Sequence, residues 1–420
     1  MITLRLAIRN VFRHRTRSVI TLAAIAFGCT AIIFVGGFFE DILYRMQESY
    51  IKAHTGHLQI YTRGFFDKGS ARPFSYLIDH PDDIIALVKK VPGVVSVARR
   101  LQFSGLLSTG ENTVSCFGQG VEPDYEPSVR LTDRSAAGRN VALLGGAIIE
   151  SGEPLNANEP YHIILGRGLA KGIDAKPGDG LILVSHTIAG SINAIDATVA
   201  GIFYTTSKAF DDYAVRLPLG TTQQLLQTES VQSLVVMLRR TSDTDRVKLT
   251  LRELFVQRHL SLEVKAWQEL NDEYGKSKAF LWRMFLILKA VVATIVILSI
   301  YNTMNMAVVE RTSEIGTIMA LGTTRQGVWQ LFLLEGATLG LIGGCLGIAI
   351  GTAITLLIRH VGIPMPPPPG ASMSWISEPV IVPSVLVFSF VLSLITSLIS
   401  SFFPAYQASR LSVADALRHA

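Results

Sequence analysis

Four stretches of this sequence contain no Asp, Glu, Lys or Arg over a length that can cross a lipid bilayer. They cover residues 18–39, 290–309, 336–358 and 379–409. A transmembrane helix needs about 20 consecutive apolar residues, so each stretch is long enough to span. Only 17% of the residues are charged, whereas average soluble domains carry about a quarter. Four such stretches indicate membrane spans rather than the buried helices of a large soluble core.

Basic residues at the start of the chain set the predicted orientation. Residues 1–17 contain five arginines and no acid, and such positive flanks stay in the cytoplasm. We therefore expect 40–282 outside, 310–335 inside, 359–378 outside and the tail inside. The outer segment has 26 Lys and Arg against 28 Asp and Glu, while the whole chain has a net charge of +5. The positive excess flanks the membrane, which indicates contact with anionic lipid and argues against nucleic acid as a partner.

The predicted fold is an α-helical membrane protein with four transmembrane helices and a large α+β domain inserted between helices 1 and 2. A cleaved lipoprotein signal ending at Cys29 is the alternative for the first span, but the apolar run continues through Val35. Periodicity and turn residues predict outer-domain helices at 82–90, 221–228 and 245–259, and strands at 94–97, 103–107, 163–165, 181–184 and 233–238. The predicted segments are an amphipathic interfacial helix at 1–17, spans at 18–39, 283–309, 336–358 and 379–406, the outer domain at 40–282, an inner loop at 310–335, an outer loop at 359–378 and a tail at 407–420.

Small and polar residues within the spans predict close helix packing. The third span has two glycine rows with a spacing of four, Gly336, Gly340 and Gly344, and Gly343, Gly347 and Gly351. Small residues at this spacing let helix backbones approach closely in lipid, either within a subunit or between subunits. Asn302 and Asn305 share a face of the second span. Because unpaired amides are costly in a bilayer, we expect this face to contact other helices.

Motifs for catalysis and metal binding are missing from the sequence. There is no HExxH, CxxC or GxSxG pattern, and Gly275-Lys276-Ser277 matches only the end of a P-loop because Leu270 replaces the required glycine. The spans also lack the buried acids or histidines of a proton-coupled carrier. We expect a chain that is not an enzyme, binds no cofactor or metal, and depends on another subunit for energy.

The inner loop carries the most informative pattern. Residues 310–322 predict a short helix that Gly322 ends, and Thr323-Thr324 can cap a second helix from Arg325. Glu310 and Glu314 share one face, while Ile315, Ile318 and Met319 form an apolar one. Such a helix can dock into a groove on a soluble partner, and an ordinary surface helix is the alternative.

This loop resembles the signature of the FtsX-like permeases, E-R-x-x-E-I-G-x-x-x-A-L-G-x-x-R. Segments of the outer domain, such as 91–94, 118–121 and 163–170, resemble the MacB-type periplasmic core, and the tail pattern ending in Asp415-Ala416-Leu417 also fits. The whole chain is most similar to the permeases of lipoprotein-releasing (Lol) complexes. The residues that match the loop signature are Glu310, Arg311, Glu314, Ile315, Gly316, Ala320, Leu321, Gly322 and Arg325.

The resemblance implies a permease subunit in the cell inner membrane whose large domain lies in the periplasm. It implies two permeases, identical or homologous, and a dimer of separate ABC ATPase subunits that hold ATP-Mg at the inner face. The loop helix would pass ATPase motion to the periplasmic domain, which extracts lipoproteins from the membrane for a periplasmic chaperone. Reversal of the Glu314 charge is expected to uncouple such a machine if Glu314 faces the ATPase.

Two other functions stay open. In one Lol permease a long proline-containing hook recruits the chaperone, whereas residues 185–196 here are short and lack proline. A drug, toxin or peptide exporter that works with a periplasmic adaptor, like the macrolide-exporter relatives, is therefore the alternative. Relatives that regulate cell-wall hydrolases have a smaller outer domain than this chain, so this third function fits less well.

Overall fold

A computed structural model describes residues 7, 9–10, 13, 15–69, 72–125, 129–130, 148–205, 207–366 and 375–411. The chain forms two compact units, a membrane unit of residues 1–43, 277–363 and 377–420 and an outer unit of residues 44–276 and 364–376. Most of the predicted amphipathic helix at 1–17, and the tail motif Asp415-Ala416-Leu417, lie outside the described residues.

Four helices in the described part of the chain are long and apolar enough to cross a membrane. The first three extend past the uncharged stretches that predicted them, because a helix can continue beyond the hydrocarbon layer, whereas the fourth lies within the stretch 379–409. A fifth, short helix occupies the inner loop. The helices of this unit are α1 (Arg15–Tyr50), α7 (Asp272–Glu310), α8 (Thr312–Ala320), α9 (Arg325–Val361) and α10 (Pro383–Ser409).

Small residues bring the long helices of the membrane unit together. A Cβ atom added to Gly28 of α1 would lie 2.8 Å from Val292 of α7, so these helices are in close contact. Ile25, Cys29 and Val296 belong to the apolar cluster between them. Thr21 and Thr303 hydroxyls, 2.7 Å apart, form a hydrogen bond between the same two helices.

The outer unit is built on one large mixed sheet. Its strands follow the order β11-β1-β10-β2-β3-β9-β6-β8-β5-β4, and β7 pairs with β2 and β8. The strands are β1 (Leu58–Thr62), β2 (Val94–Ser108), β3 (Thr113–Val121), β4 (Val129–Arg130), β5 (Ile148–Gly152), β6 (His162–Gly166), β7 (Gly180–His186), β8 (Ile192–Tyr204), β9 (Ala214–Pro218), β10 (Ser233–Leu238) and β11 (Leu262–Ala266). Two short strands, β12 (Ile363–Met365) and β13 (Trp375–Ser377), lie farther along the chain.

Helices cover the sheet and complete its core. They are α2 (Pro81–Val88), α3 (Arg167–Gly172), α4 (Lys208–Asp211), α5 (Leu219–Leu226) and α6 (Thr244–Gln257). One face of α6 buries Val247, Leu251 and Phe255, at the spacing of four that places residues on one side of a helix. The helix predictions at 82–90, 221–228 and 245–259 are confirmed to within three residues at their ends.

The strand predictions are confirmed in place but differ in extent. The two strands expected at 94–97 and 103–107 are a single 15-residue strand, β2. Between the two predicted segments lie Arg99 and Arg100, of which Arg100 is buried and Arg99 pairs with Glu122. Because these charged side chains of the strand are buried or paired, the local sequence pattern does not predict it as one continuous strand.

Candidate functional site

The inner loop is a helical hairpin whose geometry follows from its sequence. α7 ends at Glu310, and Arg311 leaves helical geometry before α8 begins. Gly322 has a φ of +100°, a left-handed conformation that glycine adopts without strain. The Thr324 hydroxyl accepts a hydrogen bond from the Gly327 backbone N–H at 3.2 Å, which caps the first turn of α9. The predicted helix end and cap are therefore present.

Arg311 and Glu335 form a buried ion pair at the base of this hairpin. Their side chains are 8% and 5% exposed, and Arg311 Nη1 donates to Glu335 Oε1 at 3.0 Å. Asn10 contacts both residues. Its side-chain Nδ2 donates to Glu335 Oε1 at 2.6 Å, and its backbone carbonyl accepts from Arg311 Nη2 at 3.2 Å. The pair thus ties the start of α8, the helix α9 and the N-terminal segment together.

Glu310 and Glu314 contact the N-terminal arginines. Arg17 forms an ion pair with Glu310, and Arg13 Nη1 lies 2.9 Å from Glu314 Oε1. Both side chains of the Arg13 pair are largely exposed, and such surface pairs stabilise a fold by about 0–1 kcal/mol. The two glutamates expected to face an ATPase are therefore engaged with their own chain.

Side chains of the loop helix divide into a buried and an exposed set. Ile315 is 5% exposed and packs with Val308 and Phe332, and Gly316 is also buried. The expectation that Ile315 belongs to a docking surface is wrong, because it anchors α8 to α7 and α9 instead. The exposed part runs over residues 317–326, which we call the loop tip, where only Met319 is partly buried.

The loop tip presents an apolar residue where a soluble partner could reach it. Leu321 is 84% exposed and Ile318 is 40% exposed. Ala320, Gly322 and Arg325 of the signature are exposed beside them.

Both glycine rows of α9 pack against helices of the same chain. The first row faces α10, where the nearest side chains to added Cβ atoms on Gly336, Gly340 and Gly344 are Ser401 at 1.8 Å, Ser397 at 2.1 Å and Ser393 at 2.4 Å. The second row faces α1, where Gly343, Gly347 and Gly351 meet Ile25 at 2.8 Å, Cys29 at 2.4 Å and Ile33 at 3.1 Å. The glycines therefore hold α9 between α1 and α10 within one chain.

Several residues of this site were missed from the sequence. The sequence pattern assigns no role to Glu335, because nothing local links it to Arg311, 24 positions earlier. A signal for the α10 row does exist. Ser393, Ser397 and Ser401 recur at the same spacing of four as the three glycines that they face.

Metal-binding geometry is absent from the described residues, where no three His, Cys, Asp or Glu side chains are placed to hold an ion.

Comparison with known proteins identifies both units. The MacB-like periplasmic core domain matches residues 18–254, and the FtsX-like permease C-terminal domain matches residues 286–413. An uncharacterized ABC transporter permease of Methanocaldococcus jannaschii is 25% identical over 98% of this chain and 96% of its own length.

Two relatives have named functions. The lipoprotein-releasing system transmembrane protein LolC of Xylella fastidiosa is 23% identical and covers 80% of each chain. The macrolide export ATP-binding/permease protein MacB of Sodalis glossinidius is 28% identical over 83% of this chain, which spans about half (52%) of that longer relative. The chain belongs to the family of ABC transporter permeases that combine a MacB-like periplasmic core domain with an FtsX-like permease domain.

Proposed function

We propose that this chain is the membrane subunit of an ATP-driven machine in the cell inner membrane that extracts lipoproteins from the outer leaflet. Permeases of this family work with ABC ATPases. In this proposal a separate ATPase dimer holds ATP-Mg at the inner face, and two permease subunits complete the complex. The chain itself supplies no catalytic group.

One observation supports the proposal most directly. The loop tip is exposed, whereas the base of the hairpin is fixed by the buried Arg311–Glu335 ion pair. An ATPase that grips Leu321 would push on α8, which Ile315 and the Arg311–Glu335 pair fix to the neighbouring helices. Burial in a low-dielectric site makes such a pair hard to separate. Displacement of the tip would therefore move α7 and α9 rather than bend the loop.

The helices themselves support mechanical transmission over conduction. In the described membrane unit, the buried faces of α9 and α10 are filled by glycine and serine. Ser393 donates to the backbone carbonyl of Gly340 on α9 at 3.2 Å, and Ser400 donates to the backbone carbonyl of Thr396 in its own helix at 2.6 Å, so both hydroxyls are satisfied. Such close packing suits helices that move as rigid bodies. Work done in the periplasm fits this packing better than passage of a substrate between these helices.

The choice of lipoprotein as substrate rests on relatives and energetics. The LolC relative is covered over 80% of its length, whereas the MacB relatives are covered over half to three-fifths. Removal of an acyl chain from a bilayer costs about 0.8 kcal/mol per CH₂, so extraction of an acylated protein requires an energy source. An ATP-driven permease would meet this requirement.

One observation favours a macrolide-type exporter as the second candidate. β7 and β8 form a tight hairpin with a turn at residues 187–191 and no proline. No room for a long chaperone-recruiting hook exists between these strands. In the alternative, a periplasmic adaptor rather than a chaperone would contact the outer domain, and the substrate would be a drug, toxin or peptide.

The two candidates can be separated by native purification. The full chain would be isolated from its own membranes, and copurified proteins and lipids would be identified by mass spectrometry. We expect an ABC ATPase together with acylated proteins. Recovery of the ATPase with an adaptor and without lipoprotein would favour export, and absence of any ATPase would contradict both candidates.

A further inference from the structure

A half-open crevice lies between α7 and α10 in the membrane unit, and α1 forms its floor. Its apolar lining includes Ile32 of α1, Val292 and Ala293 of α7, and Leu392 of α10. The space between these walls is about 220 Å³, including its open side. Pockets for drug-sized ligands have volumes of about 300–1,000 Å³. The crevice is therefore narrow, and it suits a segment of an extended chain rather than a bulky molecule.

Each polar side chain in the crevice already has a partner within the protein. None of these donors is left for a polar ligand, so the crevice offers an apolar surface. A hydrocarbon chain fits such a surface better than a polar substrate, whose groups would be buried without hydrogen bonds. The partners are the Ser389 carbonyl for the Cys29 thiol at 3.6 Å, the Leu386 carbonyl for Ser389 at 2.9 Å, the Gly340 carbonyl for Ser393 at 3.2 Å and the Leu392 carbonyl for Thr396 at 2.7 Å.

Lys289 lies at the outer end of the crevice. It precedes Val292 and Ala293 by three and four residues, a spacing that places all three on one face of α7. Glu310 ends α7 at the inner side, and the helix from 289 to 310 is about 32 Å long at 1.5 Å per residue. The hydrocarbon core of a bilayer is about 30 Å thick. The Lys289 side chain is therefore at the level of the lipid head groups on the outer side.

Three aromatic rings surround the Lys289 ammonium group. Its Nζ lies 4.1 Å from the ring centres of Phe285 and Phe388 and 5.5 Å from that of Trp282. Aromatic rings attract a cation through their faces. Since Phe388 belongs to α10, the ammonium group is held between the two helices that form the walls of the crevice. The side chain is half-buried and forms no ion pair among the described residues, so its charge has no carboxylate to balance it there.

We infer that the crevice and Lys289 together bind an anionic phospholipid of the outer leaflet. One acyl chain would lie in the crevice, and the phosphate would lie beside the Lys289 ammonium group, which supplies the positive charge. A triacylated lipoprotein suits this site less well, because its lipid end carries no phosphate for Lys289 to neutralise. The ligand is a component of the bilayer, so the inference is independent of the substrate in the proposed function.

Photocrosslinking with a labelled lipid tests this site in the full chain. The purified chain would be reconstituted in phosphatidylcholine vesicles with a small fraction of a probe that carries a diazirine in one acyl chain. The probe is either anionic phosphatidylglycerol or zwitterionic phosphatidylcholine. Mass spectrometry would quantify adducts at Leu392 in the crevice and at Leu346, an exposed residue of α9. We expect phosphatidylglycerol to exceed phosphatidylcholine about fivefold at Leu392, the preference that one lysine near a membrane surface provides, and the two probes to be nearly equal at Leu346.

Substitutions on α7 separate the effect of charge from that of shape. Lys289→Gln should remove the preference for phosphatidylglycerol, whereas Lys289→Arg should keep most of it because the charge remains. Arg283→Gln, at an exposed position of the same helix, should leave the preference unchanged. Ala293→Phe fills the crevice and should reduce adducts of both probes at Leu392, and Ala290→Phe, at an exposed position, is its control.

Equal adducts of the two probes at Leu392, or an unchanged preference in Lys289→Gln, would overturn the inference. Absence of any lipid adduct at Leu392 would also overturn it, because the crevice would then be covered by protein. A competitor tests the remaining occupant. Excess triacylated lipopeptide should leave the phosphatidylglycerol adducts at Leu392 in place, and their loss would assign the crevice to an acylated protein instead.

Discussion

The side chains of Arg311 and Glu335 are charged groups held away from water, which is unfavourable unless each satisfies the other. Removal of one partner from such a pair typically costs about 3–5 kcal/mol because the remaining charge stays buried. Asn10 adds a hydrogen bond to the same carboxylate. At the residue scale, Arg311 of the loop signature therefore has a structural role, because it holds the hairpin to its neighbouring helices. Leu321 is the exposed residue that a partner would contact in the proposed function.

Exchange of charge between Arg13 and Glu314 tests what Glu314 contacts. Glu314→Lys places a cation beside Arg13, 2.9 Å away in the native pair, so we expect reduced activity of the complex. The double variant Arg13→Glu with Glu314→Lys restores opposite charges and should recover most of that activity. Transport by the purified complex would be measured, with exposed Glu153→Lys in the outer domain as the control. A double variant no better than the single one would show that Glu314 acts on another molecule.

Two histidines make the stability of the outer unit depend on pH. Burial, with Arg216 and Arg100 nearby, lowers the pKa of His54 from 6.5 to about 3, and burial also lowers the pKa of His57. Below about pH 6.5 these histidines are protonated in the unfolded chain but stay neutral in the folded chain. The free energy of unfolding of the outer unit therefore falls as the pH falls. His54 alone accounts for at most about 1.4 kcal/mol between neutral pH and pH 5.5.

Hydrogen exchange of β1 at pH 7.5 and pH 5.5, corrected for intrinsic rates, measures this loss. We expect His54→Leu to reduce the dependence on pH, whereas His186→Asn, at an exposed position, should leave it unchanged. A pH dependence that is the same in His54→Leu would exclude His54 as its source.

At the scale of elements, the glycine and serine rows fix how α9 and α10 meet. An added Cβ at Gly336 would lie 1.8 Å from the Ser401 hydroxyl and 2.6 Å from its Cβ. Overpacking of this kind typically costs about 1–3 kcal/mol. We expect Gly336→Ala to lower the thermal unfolding midpoint of the purified chain, and Ser401→Gly in the same chain to restore most of it by making room.

The control for this substitution is another helical glycine. Gly275 of α7 has nothing within 4 Å of an added Cβ, so Gly275→Ala should raise stability slightly through helix propensity alone. A Gly336→Ala variant as stable as Gly275→Ala would mean that α9 and α10 do not pack as closely as described.

Local sequence patterns predict the positions of helices and strands better than they predict which residues contact each other. The four apolar helices, the helical hairpin of the loop and four of the eleven strands described in the outer sheet follow from local patterns of charge, turn residues and spacing. The pairing of Arg311 with Glu335, and of Glu314 with Arg13, joins residues 24 and 301 positions apart. Such contacts depend on how helices pack in three dimensions, and a single sequence carries no local signal for them.

At the scale of the whole molecule, the chain is a membrane protein with a periplasmic domain of the MacB type. α1 and α7 connect the membrane unit to the outer unit along the chain, since α1 continues to Tyr50 and α7 begins at Asp272. α7 also leads directly into the inner loop. In the proposed function, a movement received at the loop tip would therefore be passed along α7.

The central claim is that a separate ABC ATPase grips the loop tip, and site-specific photocrosslinking in living cells tests it most directly. A benzophenone amino acid would replace Leu321, which is 84% exposed, in the full chain. The same group at Leu346, a lipid-facing position of α9, provides the control. The account predicts an adduct between Leu321 and a P-loop ATPase, and none from Leu346. An ATPase adduct from both positions, or none from Leu321, would contradict it.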